Sequence, residues 1–178
     1  MASGVWEARY PDLAGKVGLV TGDHRGLVEV VRRLAANGAP VGVVAADRAR
    51  VDAALAATDG QPAMGVVSDP ADPGTWERVI PHAEQRLGPI DVVVAMGSDD
   101  DRRAVLAAVL PDMTARGRGV IVEVSEAAPP DISPAAIRHR YVTVGAAVRA
   151  EDIAAVVTMC ASDVLSTPAA TVRLADRE

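Results

Sequence analysis

Residues 16–26, Lys-Val-Gly-Leu-Val-Thr-Gly-Asp-His-Arg-Gly, decide how this chain folds. Their first half, residues 16–21, is an apolar strand that breaks into a Thr-Gly-x-x-x-Gly turn. Apolar residues at helical spacing follow at Leu27, Val30, Val31 and Leu34. A strand, a glycine turn and a helix in this order are typical of the first βαβ unit of a dinucleotide-binding sheet, whose turn presents backbone N–H groups to phosphate.

The rest of the chain repeats this alternation of strand and helix. Further strands are expected at residues 41–46, 63–67, 90–95, 120–124, 138–144 and 170–174. The helix over 101–116 carries apolar residues around most of its circumference and is expected to be buried on more than one side. The alternation predicts one doubly wound, Rossmann-like parallel sheet of the α/β class. We expect a single domain over 1–178, with residues 1–12 as an irregular lead-in.

Composition narrows the classes of protein. The 178 residues are 49% hydrophobic but only 2% aromatic, so the core is expected to consist of Val, Ala, Leu and Ile. A net charge of −6 without a basic cluster argues against nucleic acid as a partner. No apolar run reaches about 18 residues, which argues against a membrane span. The single Cys160 excludes an internal disulfide, and together these features favour a cytoplasmic location.

Several stretches together resemble the short-chain dehydrogenase/reductase family, in particular its ketoacyl-reductase-like members. The opening of the family is similar to DLAGKVGLVTGDHRG, the end of its third strand to Ser68-Asp69-Pro70, and its fourth strand to GPIDVVV. Its fifth helix and strand are similar to AVLPDMTARGRGVIVEVSE, and its last helix to RAEDIAAVVTMCASD. The similarity covers most of the chain and is specific only in combination.

In that family the opening turn holds the pyrophosphate of NAD or NADP. By resemblance, Gly22 and Gly26 are the first two glycines of this turn. Val28 stands where the third glycine lets helix and strand approach closely, so the helix is expected to be pushed outward. Asp23 opposes a phosphate, which at about 4 Å costs roughly 1 to 4 kcal/mol. Binding of NAD or NADP is therefore expected to be weakened or lost.

Four further positions correspond to cofactor contacts in the family. Arg25 matches the basic residue that reads the 2′-phosphate of NADP, whereas Asp47 matches a carboxylate that takes the ribose hydroxyls of NAD. The choice between NAD and NADP stays open on these two residues. Asp69 matches the residue that contacts adenine. Gly97 lies in the stretch after the fourth strand, where the two asparagines of the family's Asn-Asn-Ala-Gly are missing.

The catalytic residues of the family are absent. Members reduce a carbonyl with a Tyr-x-x-x-Lys pair, but Lys16 is the only lysine here and Tyr141 is followed four positions later by Gly145. Glu126 stands at the position of the catalytic serine, next to Ser125. Eleven residues separate Glu126 from Arg138, too few for the catalytic helix between strands five and six. We therefore expect that helix to be deleted, and we assign no catalytic residue.

Other candidate groups have simpler explanations. His24 is expected to be a solvated side chain, His82 and His139 structural or surface residues, and Cys160 a buried, inert thiol. The run Asp99-Asp100-Asp101 suits a helix start better than a metal site. Glu123 and Glu126 form a possible acid/base pair for a non-redox reaction at the carboxyl end of strand five.

These observations favour a non-catalytic subunit that associates with a copy of itself or with a catalytic relative that retains Tyr-x-x-x-Lys. Deletion of the helix is expected to uncover apolar sheet surface, which a partner would cover. The alternative is an NAD(P)-dependent oxidoreductase, similar to ketoreductases, that is completed by a partner chain. A nucleotide-dependent sensor and a pure scaffold are further alternatives.

Overall fold

The computed structural model describes residues 8–126, 137–163 and 169–175. Within these ranges the strands are β1 (Val17–Thr21), β2 (Val41–Ala45), β3 (Ala63–Val67), β4 (Ile90–Ala95), β5 (Val120–Ser125), β6 (Arg138–Val144) and β7 (Ala169–Leu174). The helices are α1 (Leu27–Ala36), α2 (Arg48–Ala56), α3 (Pro73–Leu87), α4 (Asp99–Arg116) and α5 (Ala150–Ala161), after a 3-10 turn at Pro11–Leu13. None of these helices is both long and apolar enough to cross a membrane.

The strands form one parallel sheet in the order β3-β2-β1-β4-β5-β6-β7. The predicted doubly wound, Rossmann-like α/β fold is therefore confirmed. β5 and β6 are direct neighbours, in register from Val120 opposite Arg138 to Ser125 opposite Thr143. The expected deletion of a helix falls on residues 127–136, outside the described ranges.

The core lies on both faces of the sheet and is aliphatic, as the composition predicts. α1 and α5 pack on one face around Val20, Leu34 and Val122. α3 and α4 pack on the other face around Leu19, Val93 and Ile121. Both faces of the central strands are thus covered, as an all-parallel sheet requires.

Helix α4 starts two residues earlier than predicted. It begins at Asp99 because Ser98 caps it: the Asp101 N–H donates to Ser98 Oγ (3.2 Å), and the Ser98 N–H donates to Asp101 Oδ2 (2.9 Å). Its fully buried residues, Arg102, Val105, Val109 and Met113, lie along one stripe. Partly buried residues on both sides of this stripe also pack against the core, namely Ala104, Leu106, Ala108 and Leu110.

The face of β5 and β6 that looks toward α4 is polar. Glu123 lies beside Tyr141, and Ser125 lies beside Thr143, in the register of the two strands. The expected uncovered apolar surface is not found here among the described residues. Their only large exposed hydrophobic side chain is Val67, 38% exposed on the edge strand β3.

The buried face of α1 gives a direct test of this packing. Leu34→Ala removes a fully buried side chain against the sheet and is expected to lower the free energy of unfolding by about 2–5 kcal/mol. Val67→Ala, at an exposed position, serves as the control and is expected to change it by less than about 0.5 kcal/mol. Urea denaturation measures both. Equal effects would contradict the assignment of α1 to the core.

Candidate functional site

The glycine turn lies at the carboxyl ends of β1 and β4, where open α/β sheets bind ligands. Gly22 has a φ of +118°, and a Cβ there would lie 2.5 Å from the Gly97 amide nitrogen. The His24 N–H donates to the Met96 carbonyl (3.2 Å). The turn is therefore held directly against the chain that leaves β4, and a side chain at position 22 is excluded by both conformation and space.

Arg25 extends from this turn to the loop between β6 and α5. Its Nη2 donates to the carbonyls of Gly145 (2.9 Å) and Val148 (3.1 Å). Its Nη1 donates to Glu126 Oε1 (3.3 Å). The residue that the resemblance assigns to the cofactor phosphate is thus bound to the residue that replaces the catalytic serine.

The first turn of α1 packs directly on α5. A Cβ at Gly26 would lie 3.2 Å from Ile153 Cγ2. Val28 is half-buried and packs against the core that α1 and α5 share. The apolar N-terminal part of α5 therefore fills space beside the glycine turn.

His24 is not the solvated side chain that was expected. It is half-buried, and its Nδ1 accepts a hydrogen bond from the Gly26 N–H (3.1 Å). Burial, assisted by the positive charge of Arg25, lowers the pKa of His24. The neutral ring therefore carries its proton on Nε2, which is buried and has no partner in the described part of the chain.

Asp47 and Asp69, which by resemblance contact the adenosine part of the cofactor, follow the ends of β2 and β3. Asp47 is exposed, two residues after the end of β2, and caps α2 by accepting from the Ala49 N–H (2.9 Å). Asp69 is exposed and accepts from the Ala71 N–H (2.9 Å). Each keeps a carboxylate at the carboxyl edge of the sheet, while a local turn fixes its position.

The residues around the glycine turn contact other parts of the chain. Arg25 is bound to the chain itself, and Ile153 lies against Gly26. Asp23 is exposed and adds a negative charge. The structure brings Gly22, Gly26 and Gly97 together at the crossover of β1 and β4, with Asp47 and Asp69 farther along the same edge.

Lys16 lies at the opposite edge of the sheet. Its ammonium pairs with Asp163 (3.0 Å) and Asp12 (3.5 Å) at the amino end of β1. The hydrogen bond from Lys16, together with Arg138, holds the pKa of Asp163 below its usual range. The only lysine of the chain is therefore a structural cation, remote from the glycine turn.

A buried polar network, which sequence reasoning did not predict, joins α4 to β5 and β6. Arg102 Nε donates to Glu123 Oε2 (3.2 Å), and Arg102 Nη2 donates to the Tyr141 hydroxyl (3.3 Å). His139 Nε2 lies 2.5 Å from Glu123 Oε1. Arg102 Nη1 also donates to the Gly97 carbonyl (2.7 Å). The polar residues inside the strand sequences were the only signal of this network in the sequence. Their partners could not be predicted, because they lie on other elements.

The proposed pairing of Glu123 with Glu126 does not form. Glu123 is 8% exposed and bound by Arg102 and His139, whereas Glu126 is exposed and bound by Arg25. Both carboxylates are thus held in ion pairs with different partners. The structure gives no support to an acid/base pair.

The three aspartates at the start of α4 each have a partner. Asp99 binds Arg102, Asp100 binds Arg103, and Asp101 accepts from the Ser98 N–H. Their position in the first turn complements the helix dipole, in agreement with the helix-start interpretation. Across the described ranges no group of three His, Cys, Asp or Glu side chains is arranged to hold a metal ion.

Comparisons with known proteins show what this chain is similar to. Residues 16–98 match the family model for short chain dehydrogenase. A solved structure assigned to the short-chain dehydrogenase/reductases, from Burkholderia xenovorans, superposes with a TM-score of 0.78 at 19% identity, over 92% of this chain and 96% of the other. Levodione reductase superposes with a TM-score of 0.73, also at 19% identity, over 90% and 96%.

The resemblance to the short-chain dehydrogenase/reductase family is therefore confirmed, by sequence over residues 16–98 and by fold over the larger part of the chain. No curated protein sequence matches the chain. At 19% identity the solved structures speak for the fold alone.

The buried network is expected to be a large term in stability. Glu123→Met leaves Arg102 and His139 without their carboxylate and is expected to cost about 3–5 kcal/mol of unfolding free energy. The exposed pair serves as the control: Glu126→Gln is expected to cost at most about 1 kcal/mol. Arg102→Met combined with Glu123→Met should cost less than the sum of the single changes. If denaturant melts showed that the losses of unfolding free energy of the two single changes simply add, coupling between Arg102 and Glu123 would be contradicted.

The thiol of Cys160 is expected to make stability fall at alkaline pH. Burial raises the pKa of Cys160 to about 11, from 9.0. The folded state therefore keeps a proton that the unfolded state releases between pH 9 and 11, so the free energy of unfolding falls as the pH rises through this window. Denaturant melts at several pH values should show a shallower fall for Cys160→Ala. An identical fall in both proteins would contradict the assignment.

Proposed function

We propose that this protein is a non-catalytic subunit built on the short-chain dehydrogenase/reductase fold, which associates with a copy of itself or with a catalytic relative. The observation that carries the proposal is the contact between Arg25 and Glu126 (3.3 Å). These two residues stand where the family binds cofactor and orients substrate, and here they neutralise each other. Arg25 is further engaged by the Gly145 and Val148 carbonyls.

The chain also lacks the proton donor that carbonyl reduction requires. Lys16 is ion-paired at the amino end of β1, on the side of the sheet opposite the glycine turn. Tyr141 is 1% exposed and accepts a hydrogen bond from Arg102. A positioned general acid contributes about 10²–10⁴-fold to the rate, so reduction without one would be slow. Neither residue is in a position to replace the Tyr-x-x-x-Lys pair.

Cofactor affinity is proposed to be weakened or lost. A bound pyrophosphate would meet Asp23, and Arg25 would have to leave three acceptors to reach the 2′-phosphate of NADP. The repulsion by Asp23 alone corresponds to about 1 to 4 kcal/mol, which is roughly one to three decades in affinity. The Asp23 repulsion affects NAD and NADP alike, because the pyrophosphate is common to both, whereas the engagement of Arg25 bears on NADP.

Association is proposed to use the β7 edge of the sheet. β7 ends the strand order, so one side of its backbone has no neighbouring strand within the described sheet. Thr171 and Arg173 are exposed along it. An open edge strand is a template for pairing with another chain.

The second candidate is an NAD(P)-dependent oxidoreductase completed by a partner chain. One observation favours it: Asp47 and Asp69 keep exposed carboxylates at the edge where the family binds adenosine. A partner would then have to supply the general acid and draw Arg25 away from Glu126. The two candidates differ in whether the assembly transfers hydride.

Native mass spectrometry of the protein purified gently from its source, with NADPH added, separates them. We expect an assembly larger than one chain and no nucleotide on this subunit. We also expect the isolated protein to transfer no hydride from NADPH to a simple ketone. A monomer at micromolar concentration, or turnover at rates typical of intact reductases, would contradict the proposal.

Asp23→Ala, with the exposed Asp52→Ala as its control, tests the cofactor argument. Removal of the carboxylate beside the turn is expected to tighten any residual NADPH binding by about one to three decades, whereas the control leaves it unchanged. Tight binding and hydride transfer by the purified assembly would favour the second candidate.

A further inference from the structure

Arg33, in the last turn of α1, is a buried cation without a partner. It is 5% exposed, and its guanidinium makes no hydrogen bond and no ion pair within the part of the chain that the structure describes. Its Nε is fully buried and unsatisfied. Arginine is always charged, and a buried charge is strongly unfavourable unless an anion or hydrogen-bond acceptors accompany it.

The usual role of a basic residue at the end of a helix does not account for Arg33. Such residues donate to the last carbonyls of the helix. Here Asn37 does this instead: its backbone N–H donates to the carbonyls of Arg33 and Leu34, and its Nδ2 donates to the Arg33 carbonyl (2.8 Å). Arg33 itself lines a cavity and makes no hydrogen bond to these acceptors.

The cavity has room for about one oxygen atom and is cationic. Its volume is about 10 Å³, close to the minimum for a single water-sized group. It is lined by Ala8, Arg9, Arg33, Ala36 and Asn37. Arg9 is exposed and, like Arg33, has no ion pair among the described residues. Among the residues that the structure describes, no carboxylate lines the cavity.

A wider groove opens beside this cavity and shares Arg9 and Ala36 with it. Its volume is about 470 Å³, and its lining includes Arg32, Thr58, Asp59 and Gln61. The groove lies at the C-terminal end of α1, whereas the glycine turn precedes the N-terminal end. The ten residues of the helix, about 15 Å, separate the two places.

We propose that Arg33 and Arg9 bind a phosphate group. One phosphate oxygen enters the cavity and accepts from the Arg33 guanidinium, and the remaining oxygens lie at the mouth against Arg9. Two unpaired guanidinium groups match a phosphate, which carries nearly two negative charges at neutral pH, better than a carboxylate, which carries one. The phosphate is either the free ion or part of a larger molecule whose body lies in the groove. This site does not depend on the proposed function.

Phosphate titration of the full-length protein tests the site, with inorganic phosphate as the probe and chloride at equal ionic strength as the reference. The thermal unfolding midpoint of the wild type is expected to rise and saturate, because the ligand binds only the folded state. Arg33→Met is expected to weaken phosphate binding at least tenfold. Without phosphate this variant should unfold no earlier than the wild type, because it removes an unpaired buried charge.

Arg9→Met is expected to weaken phosphate binding several-fold. It changes only an exposed side chain, so it still tests the site if Arg33→Met does not fold. Arg78→Met, an exposed arginine on α3, is the control and should leave binding unchanged. No phosphate-dependent shift in the wild type, or an equal shift in all variants, would overturn the proposal. Tighter binding of AMP than of inorganic phosphate would support a larger ligand in the groove, and equal binding would support the free ion.

Discussion

The constraint on which this structure depends is the length of chain available to cross from β5 to β6. Two adjacent parallel strands need a crossover, and only eleven residues lie between Glu126 and Arg138. A connection between adjacent parallel strands takes about a dozen residues or more, so this one is near the minimum length. On the face of β5 and β6 toward α4, polar side chains such as Glu123 and Thr143 lie beside the buried Ile121.

The buried polar network joins α4 to this pair of strands. Arg102 reaches from the first turns of that helix to Glu123 on β5 and Tyr141 on β6, and His139 closes the other side of the carboxylate. A buried pair of this kind holds neighbouring elements in one arrangement, and removal of one partner leaves the other uncompensated. At the same edge, Arg25 joins the glycine turn to the loop after β6. Arginines thus hold together the edge where relatives keep their cofactor and substrate.

The fold could be predicted from the sequence to a large extent, and the site to a smaller one. Buried parallel strands appear as apolar runs, so β3, β4 and β6 begin and end where they were expected. The partners of Arg25 lie 101, 120 and 123 residues away, and spacing carries no information about such contacts. The placement of Gly22 and Gly97 was predictable, because they follow the ends of β1 and β4, which are neighbouring strands in the sheet. The burial of His24 was not, because it depends on how α5 packs beside the turn.

The strand order also has a consequence for how the chain assembles. β1 pairs with β2 on one side and with β4 on the other, so the two halves of the sheet meet along a single ladder. Across that ladder the Val17 N–H reaches the Asp91 carboxylate, 74 residues further along the chain. Local βαβ pieces can form early, but the central ladder must wait until a loop of this size closes, and contacts of long sequence separation slow folding. We therefore expect the docking of β4 on β1 to commit the chain to its native sheet, and the contacts of the glycine turn with Met96 and Gly97 to form with that docking.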